Sequence, residues 1–217
     1  MAQDGTAFAQ SLRITHYSMQ LGRDGIKRET SLSEQLYRRG DQLWIERVLP
    51  GHARQEHAGD AHGAHGEAAN SHAGHRHPDL AGAPLWLRRR ADGVMEVRLV
   101  ERDERRVIKV DAQYYARFGI DGNWNSAFHL VDPASFAEMR AVGAPRGGLQ
   151  EYERRRGDMT LRIWWDAQGA YPRKVESTDR HGLIRRETRA RKQAMPPEPP
   201  WDPLAGYDEI DYGDLLD

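Results

Sequence analysis

The sequence predicts a mainly β protein: a curved antiparallel sheet, or half-barrel, with one or two short helices and a disordered His-rich loop between two strands. Three observations carry this. Short segments rich in β-branched and aromatic residues recur along the chain, joined by Gly- and Asp-containing turns so tight that neighbouring strands must run antiparallel. Apolar and polar residues alternate with a period of two, as in Met95, Val97 and Leu99 against Glu96 and Arg98. Seven of the ten histidines crowd into residues 51–84, a stretch whose only large aliphatic side chain is Leu80.

Taken in order, residues 12–21 and 27–39 read as a hairpin about Gly22-Arg23-Asp24-Gly25. Residues 42–49 form a third strand, with Leu43, Ile45 and Leu49 on one face and Trp44, Glu46 and Val48 on the other; Pro50 stops it. Residues 85–90 and 95–99 resume extended structure, and 102–105 turn the chain into 106–110. Residues 112–118 read as a short helix, and Asp132 before Pro133 is an N-cap and N1 pair opening a second one through about residue 141. Beyond Gly147, residues 149–156, 159–165, 171–178 and 183–194 are strands separated by two- to four-residue turns. Met159, Leu161, Ile163 and Trp165 form the clearest inward row, against Thr160, Arg162, Trp164 and Asp166. Eight to ten strands are expected in all.

The 217 residues, 38% hydrophobic, suffice for one substantial core. Residues 1–194 are expected to form a single β domain carrying the insert at 51–84, and residues 195–217 a Pro-rich acidic segment docked on it. That final segment holds Trp201, Leu204, Tyr207, Ile210, Tyr212, Leu215 and Leu216, too many apolar groups for a free tail. It also holds seven acidic residues and no Lys or Arg, which leaves the rest of the chain with 32 basic against 26 acidic groups, about +6. Cysteine is absent, which excludes disulfides, thiolate metal clusters and a cysteine nucleophile. No apolar run approaches the ~20 residues of a transmembrane helix, so an integral membrane protein is not expected. The first ten residues, MAQDGTAFAQ, lack the basic start and apolar centre of a secretion signal. A processed periplasmic protein with its signal peptide removed is the favoured location, and the cytoplasm the alternative.

The insert carries the leading chemical reading. His52, His57, His62, His65, His72, His75 and His77 lie among Gly, Ala, Asp and Glu. So few apolar side chains cannot offset an ordering cost of roughly 1–2 kcal/mol per residue, so the loop is expected to be mobile. Spacings such as His62-x-x-His65, His72-x-x-His75 and His75-x-His77 let one ion reach two imidazoles. Without Cys or a Met cluster the ions expected are divalent: Zn, Ni, Cu(II) or Co, loosely bound by competing bidentate arrangements. An inert low-complexity linker and a protonation-driven switch remain open as other readings of the same residues.

Several phrases resemble the lipoprotein-carrier superfamily of bacterial periplasmic proteins, the LolA-like and RseB-like half-barrels. They are Gly40-Asp41-Gln42-Leu43-Trp44-Ile45-Glu46-Arg47, Tyr171-Pro172-Arg173-Lys174-Val175-Glu176 with the turn after it, and the helix start at Asp132-Pro133. The resemblance implies a sheet wrapped around an apolar cavity partly plugged by short helices, and a lipid or apolar peptide as ligand. Trp44, Leu161, Ile163 and Trp165 are then the candidate ligand-binding residues. The chain departs from such carriers in placing Arg or Glu on both faces of several strands, as in residues 183–191, and in the His-rich insert.

No catalytic residues are assigned. The chain has no Gly-x-Ser-x-Gly elbow, phosphate-cradling Gly-Lys-Ser/Thr loop, dinucleotide fingerprint or His-Glu-x-x-His helix, and a non-enzyme is expected. Arg88-Arg89-Arg90, Arg154-Arg155-Arg156 and Arg185-Arg186 lie in or beside strands, where charges belong on the wet face, so no nucleic-acid partner is expected. The functional expectation is a metal-binding accessory protein whose loop captures ions while the sheet offers a protein-partner surface; the alternative is a binding module for an acyl chain or apolar peptide. His16 is expected to be a hydrogen-bonded core histidine on its strand, His181 a solvated turn residue, and His129 a contact of the insert or a cavity mouth.

Overall fold

Alternating strands of this kind bury one face each and must find a sheet large enough to share it. The computed structural model describes residues 8–48 and 80–216. Its first three strands are β1 (Ala9–Leu21), β2 (Lys27–Arg39) and β3 (Gln42–Arg47). Next come β4 (Leu85–Arg89), β5 (Met95–Glu101) and β6 (Arg106–Val110). The second half supplies β7 (Arg140–Arg146), β8 (Leu149–Arg156), β9 (Met159–Asp166), β10 (Tyr171–Asp179), β11 (Ile184–Gln193) and β12 (Asp208–Asp211). Together they make one open, curved sheet in the order β12-β6-β5-β4-β3-β2-β1-β11-β10-β9-β8-β7. All pairs are antiparallel except β12, which lies parallel to β6 at one edge. Among the described residues no helix is long and apolar enough to cross a membrane.

Register fixes the two faces. Gln10, Arg38, Leu43, Leu87, Val97 and Val110 stand opposite one another across six strands, so they share a face. Leu12, Leu36, Leu99 and Ile108 are buried in the same cluster, beneath Ile120, Trp124 and Phe128 of the short helical segments. The opposite face presents Trp44, Val100 and Val107, which are buried by Trp201 and Leu204 from the Pro-rich segment, with Tyr37, Trp86 and Tyr207 packed around them. Each Trp brings a large apolar area to this second cluster.

Three elements differ from expectation. Residues 124–129 form α1 (Trp124–His129), capped by the Asn123 side chain, whose oxygen accepts from the N–H groups of Asn125 and Ser126 at 2.8 and 3.3 Å. The helix expected through residue 141 is only a 3-10 turn, Pro133–Glu138: the Asp132 carboxylate accepts from Ala134 N–H at 2.9 Å and starts it. Gly143 and Pro145 cannot continue a helix, and residues 140–146 become β7, an edge strand where a proline costs no ladder bond. Residues 112–118 do form the short helix expected, of 3-10 type, closed at Gly119 with φ +73°, a left-handed conformation that favours glycine. Trp165 is buried and Trp164 half-buried, the latter covered by Lys174 with Nζ 4.6 Å from the ring centre and not by the C-terminal segment.

Candidate functional site

Where β2, β3 and β4 turn their shared face toward the helical turns, packing is incomplete and a cavity of about 840 Å³ opens. Leu32, Ile45 and Leu85 form its floor. Register places them there, since Leu36 faces Ile45 and Ile45 faces Leu85. Leu80 and Ala83 form one wall, Phe118 at the end of the 112–118 turn another, and Tyr212, Leu215 and Leu216 a third. The C-terminal wall is anchored: Tyr212 N–H donates to Lys109 C=O at 2.8 Å, and the Tyr212 ring meets Tyr114 and Phe118 edge-on at 5.1 and 5.4 Å. Three charged groups touch this apolar space, Glu34, Arg47 and Arg117.

Glu34 belongs to a polar line on the sheet. His16 Nε2 lies 3.1 Å from Glu34 Oε2, and its Nδ1 lies 3.0 Å from Thr188 Oγ1. His16 is therefore hydrogen-bonded as expected but does not lie in the core: it is partly exposed and lines a smaller groove of about 230 Å³ that shares Leu32 with the main cavity. His181 is exposed in its turn.

His129 does not reach this cavity. Its Nδ1 is 2.9 Å from Ala170 C=O, so that nitrogen carries the proton, since a carbonyl can only accept. Burial holds its pKa below the usual imidazole range. Beside it Arg38 is fully buried, with no carboxylate partner among the described residues. Its guanidinium donates instead to Gln10 Oε1 and to the carbonyls of Phe128, Gly169 and Ala170. It lies between the rings of Phe8 and Phe128, 4.9 and 4.8 Å from their centres. Desolvation pushes it down to about 10, the cost expected of a cation held by neutral dipoles.

Comparisons can now be set against this geometry. The architecture is loosely similar to LolA-like proteins. A putative outer membrane lipoprotein-sorting protein domain from Vibrio parahaemolyticus is 10% identical, with 90% of this chain and 91% of that chain covered, at a TM-score of 0.35. A LolA superfamily protein from Nitrosomonas europaea is 9% identical over 86% of this chain and 88% of that one, at 0.32. MucB is 13% identical over 87% of this chain at 0.39, and there the match spans 55% of the other chain's length. No family model matches the sequence, and no curated protein does. At such identities no site residue transfers, and function is read from this chain's own geometry.

The residues singled out in the sequence fall in different places. His52, His57, His62, His65, His72, His75 and His77 lie outside the described residues. Among the described residues no three His, Asp or Glu side chains are grouped to hold a metal. Trp44, Leu161, Ile163 and Trp165 are not brought together. Trp44 is buried on the face covered by the C-terminal segment, bonded through Nε1 to Glu46 at 3.1 Å. Ile163 and Trp165 are buried on β9, where the Trp165 ring meets Phe136 edge-on at 5.1 Å; Leu161 lies further along the same strand, partly exposed. None of the four lines the main cavity. Ile45 and Leu85, which do, are legible in the sequence as strand residues, Ile45 alone with a face assigned by alternation, and neither carries a mark distinguishing a cavity floor from a filled core. Leu215 and Leu216 carried one signal, their excess apolarity in an acidic segment.

Proposed function

We propose that this protein is a binding module that holds an acyl chain or an apolar peptide segment in the cavity above β2, β3 and β4. The observation that carries this is the 840 Å³ apolar space between the sheet and the C-terminal segment. It lies within the range of ordinary ligand sites, roughly 300–1,000 Å³. The space is a cleft open to solvent and not a sealed void, so an apolar ligand can enter and leave it. An environment-sensitive fluorescent fatty acid should bind saturably to the full chain. Ile45→Trp and Leu85→Trp, which fill the floor, should each weaken that binding by about tenfold or more, the ~1.4 kcal/mol of a lost apolar contact. Binding that is absent, or indifferent to both substitutions, sinks the proposal.

A bacterial periplasmic location is proposed with it, on the phrases of sequence that resemble the carrier half-barrels. Cell fractionation tests it, and recovery in the cytosol alone overturns it.

The seven histidines favour a second and separable role, capture of Zn(II), Ni(II), Cu(II) or Co(II) by residues 52–77. What supports it is the pairing of imidazoles at i, i+3 and i, i+2 in the sequence. Its test is the deletion described in the Discussion.

A further inference from the structure

We propose that the end of the sheet formed by three adjacent hairpin turns is a docking surface for an anionic phospholipid membrane. The turns are those between β1 and β2, between β10 and β11, and between β8 and β9. They are laced together by backbone bonds: Leu21 N–H donates to Leu183 C=O at 2.8 Å, and Arg180 N–H to Asp158 C=O at 2.9 Å. Strand spacing of ~4.8 Å makes the six strand ends a rim roughly 25 Å wide.

Two independent features of this rim fit a bilayer surface. The first is apolar exposure. Leu21, Ile26 and Leu183 are 38%, 54% and 42% exposed, three of the six large apolar side chains exposed among the described residues, and all three lie on these turns. Leu21 and Leu183 are backbone neighbours, and Ile26 C=O accepts from Gly22 N–H at 2.9 Å. Large apolar tips on polar hairpins cost solubility and bury nothing within the fold.

The second feature is charge. Residues 21–28, 155–159 and 179–186 hold eight Lys or Arg against three Asp and no Glu, a net +5 within a chain whose total is −1. Five of these cations are occupied: Lys27 pairs with Glu29, Arg28 with Asp24, Arg155 with Glu153, Arg180 with Asp158, and Arg185 with Glu176 and Glu187. Arg23, Arg156 and Arg186 are exposed and have no carboxylate partner among the described residues. Basic residues flanking apolar tips are what an anionic headgroup layer recognises, each Lys or Arg contributing roughly fivefold to partitioning. The inference does not depend on the cavity, so each can fail alone.

Co-sedimentation of the full chain with vesicles made of phosphatidylglycerol and phosphatidylcholine in equal parts tests it, with pure phosphatidylcholine vesicles as the comparison. The protein should bind the mixed vesicles, leave the neutral ones in solution, and be released at ~1 M salt, where the Debye length falls to ~3 Å. The triple variant Leu21→Ser, Ile26→Ser, Leu183→Ser and the triple variant Arg23→Glu, Arg156→Glu, Arg186→Glu should each lower partitioning by about tenfold or more. Circular dichroism identical to the parent shows that neither change acts by unfolding. Failure to bind anionic vesicles, equal binding to neutral ones, or indifference to both variants overturns the proposal. Preferential capture by a DNA oligonucleotide over the mixed vesicles overturns it too.

Discussion

Arg38 Nη2 lies 2.9 Å from the carbonyl oxygen of Gly169, a bond that joins β2 to the β9–β10 turn across 131 residues. The same guanidinium reaches Gln10 on β1 and Phe128 at the end of α1. One side chain therefore ties the centre of the sheet, the helix above it and the second half of the chain. Gly169 is itself tightly packed in that turn: a Cβ there would sit 2.5 Å from the Tyr171 ring. Arg38→Met keeps the length of the side chain but takes the donor away from Phe128 C=O and Gln10 Oε1, and leaves Gly169 and Ala170 C=O with only Gln10 Nε2 and His129 Nδ1. It should destabilise the fold by about 2–4 kcal/mol, read from urea unfolding. Arg38→Lys, which restores the charge without the planar fork, should recover only part of that. A wild-type midpoint in Arg38→Met would remove the latch from the account.

His129 sets a pH dependence whose sign can be worked out. Its folded pKa lies below the ordinary value of 6.5, burial being the largest cause. Below about pH 6.5 the unfolded chain takes up a proton that the folded chain resists, so stability falls as pH drops from there through the folded pKa. His129→Gln keeps a donor for Ala170 C=O and should flatten the unfolding midpoint over that window. A midpoint profile unchanged by the substitution would assign the slope elsewhere.

Glu187 acts further down the scale. Its carboxylate is hydrogen-bonded first by Arg189, then by Arg185, with Lys174 nearby, and is held down to about 2. The stabilisation is therefore complete above the ordinary range near 4.5 and is lost as pH falls toward 2. Glu187→Gln should remove that part of the acid transition while leaving the profile above about pH 5 unchanged apart from a constant offset. Acid titration of both proteins by tryptophan fluorescence checks it.

Alternation and turn signals made most of the sheet legible: ten of the twelve strands sit within a few residues of where the sequence places them. What it missed was decided by tertiary contacts. β12 has four residues, Asp-Glu-Ile-Asp, with no strand propensity to speak of, and is extended because β6 offers it an edge. β7 is hidden by Gly143 and Pro145, which fall in a register shift: β8 pairs with Arg140, Ala141 and Val142 and again with Arg146. The cavity was less legible still. Leu85 and Leu87 look equivalent in sequence, yet Leu87 is fully buried and Leu85 borders open space. The difference lies in what the short helical turns leave uncovered, which no strand pattern records.

Trp201 closes the face that the helices do not cover. It is 8% exposed and packs with Leu204 against Trp44, Val100 and Val107. Trp201→Ala strips this cover from a fully buried Trp44 and should cost about 3–5 kcal/mol. Trp44 and Trp201 share one cluster, so their effects should be non-additive, and the double variant should lose less than the two single losses combined. Strict additivity in chemical denaturation would mean that the segment acts at another place.

The histidine-rich stretch offers the cleanest separation of fold from chemistry. β3 ends at Arg47 and β4 begins at Leu85, and Ile45 opposite Leu85 fixes their pairing. The pairing of β3 with β4 does not rest on the residues that join them, and halving the length of a flexible connection changes its closure cost by only ~0.6 kcal/mol. Deleting residues 52–77 should leave the unfolding midpoint within about 1 kcal/mol of the parent. The same deletion removes seven of ten histidines, and among the described residues no other group is placed to hold a metal. Isothermal titration with Zn(II), Ni(II) and Cu(II) should therefore show binding to the full chain and none of comparable strength to the deleted one. The fatty-acid probe should bind both equally, since the cavity's lining is retained. Metal affinity that survives the deletion would dismiss the chelating role, and a deleted chain that no longer folds would show that residues 52–77 serve the scaffold.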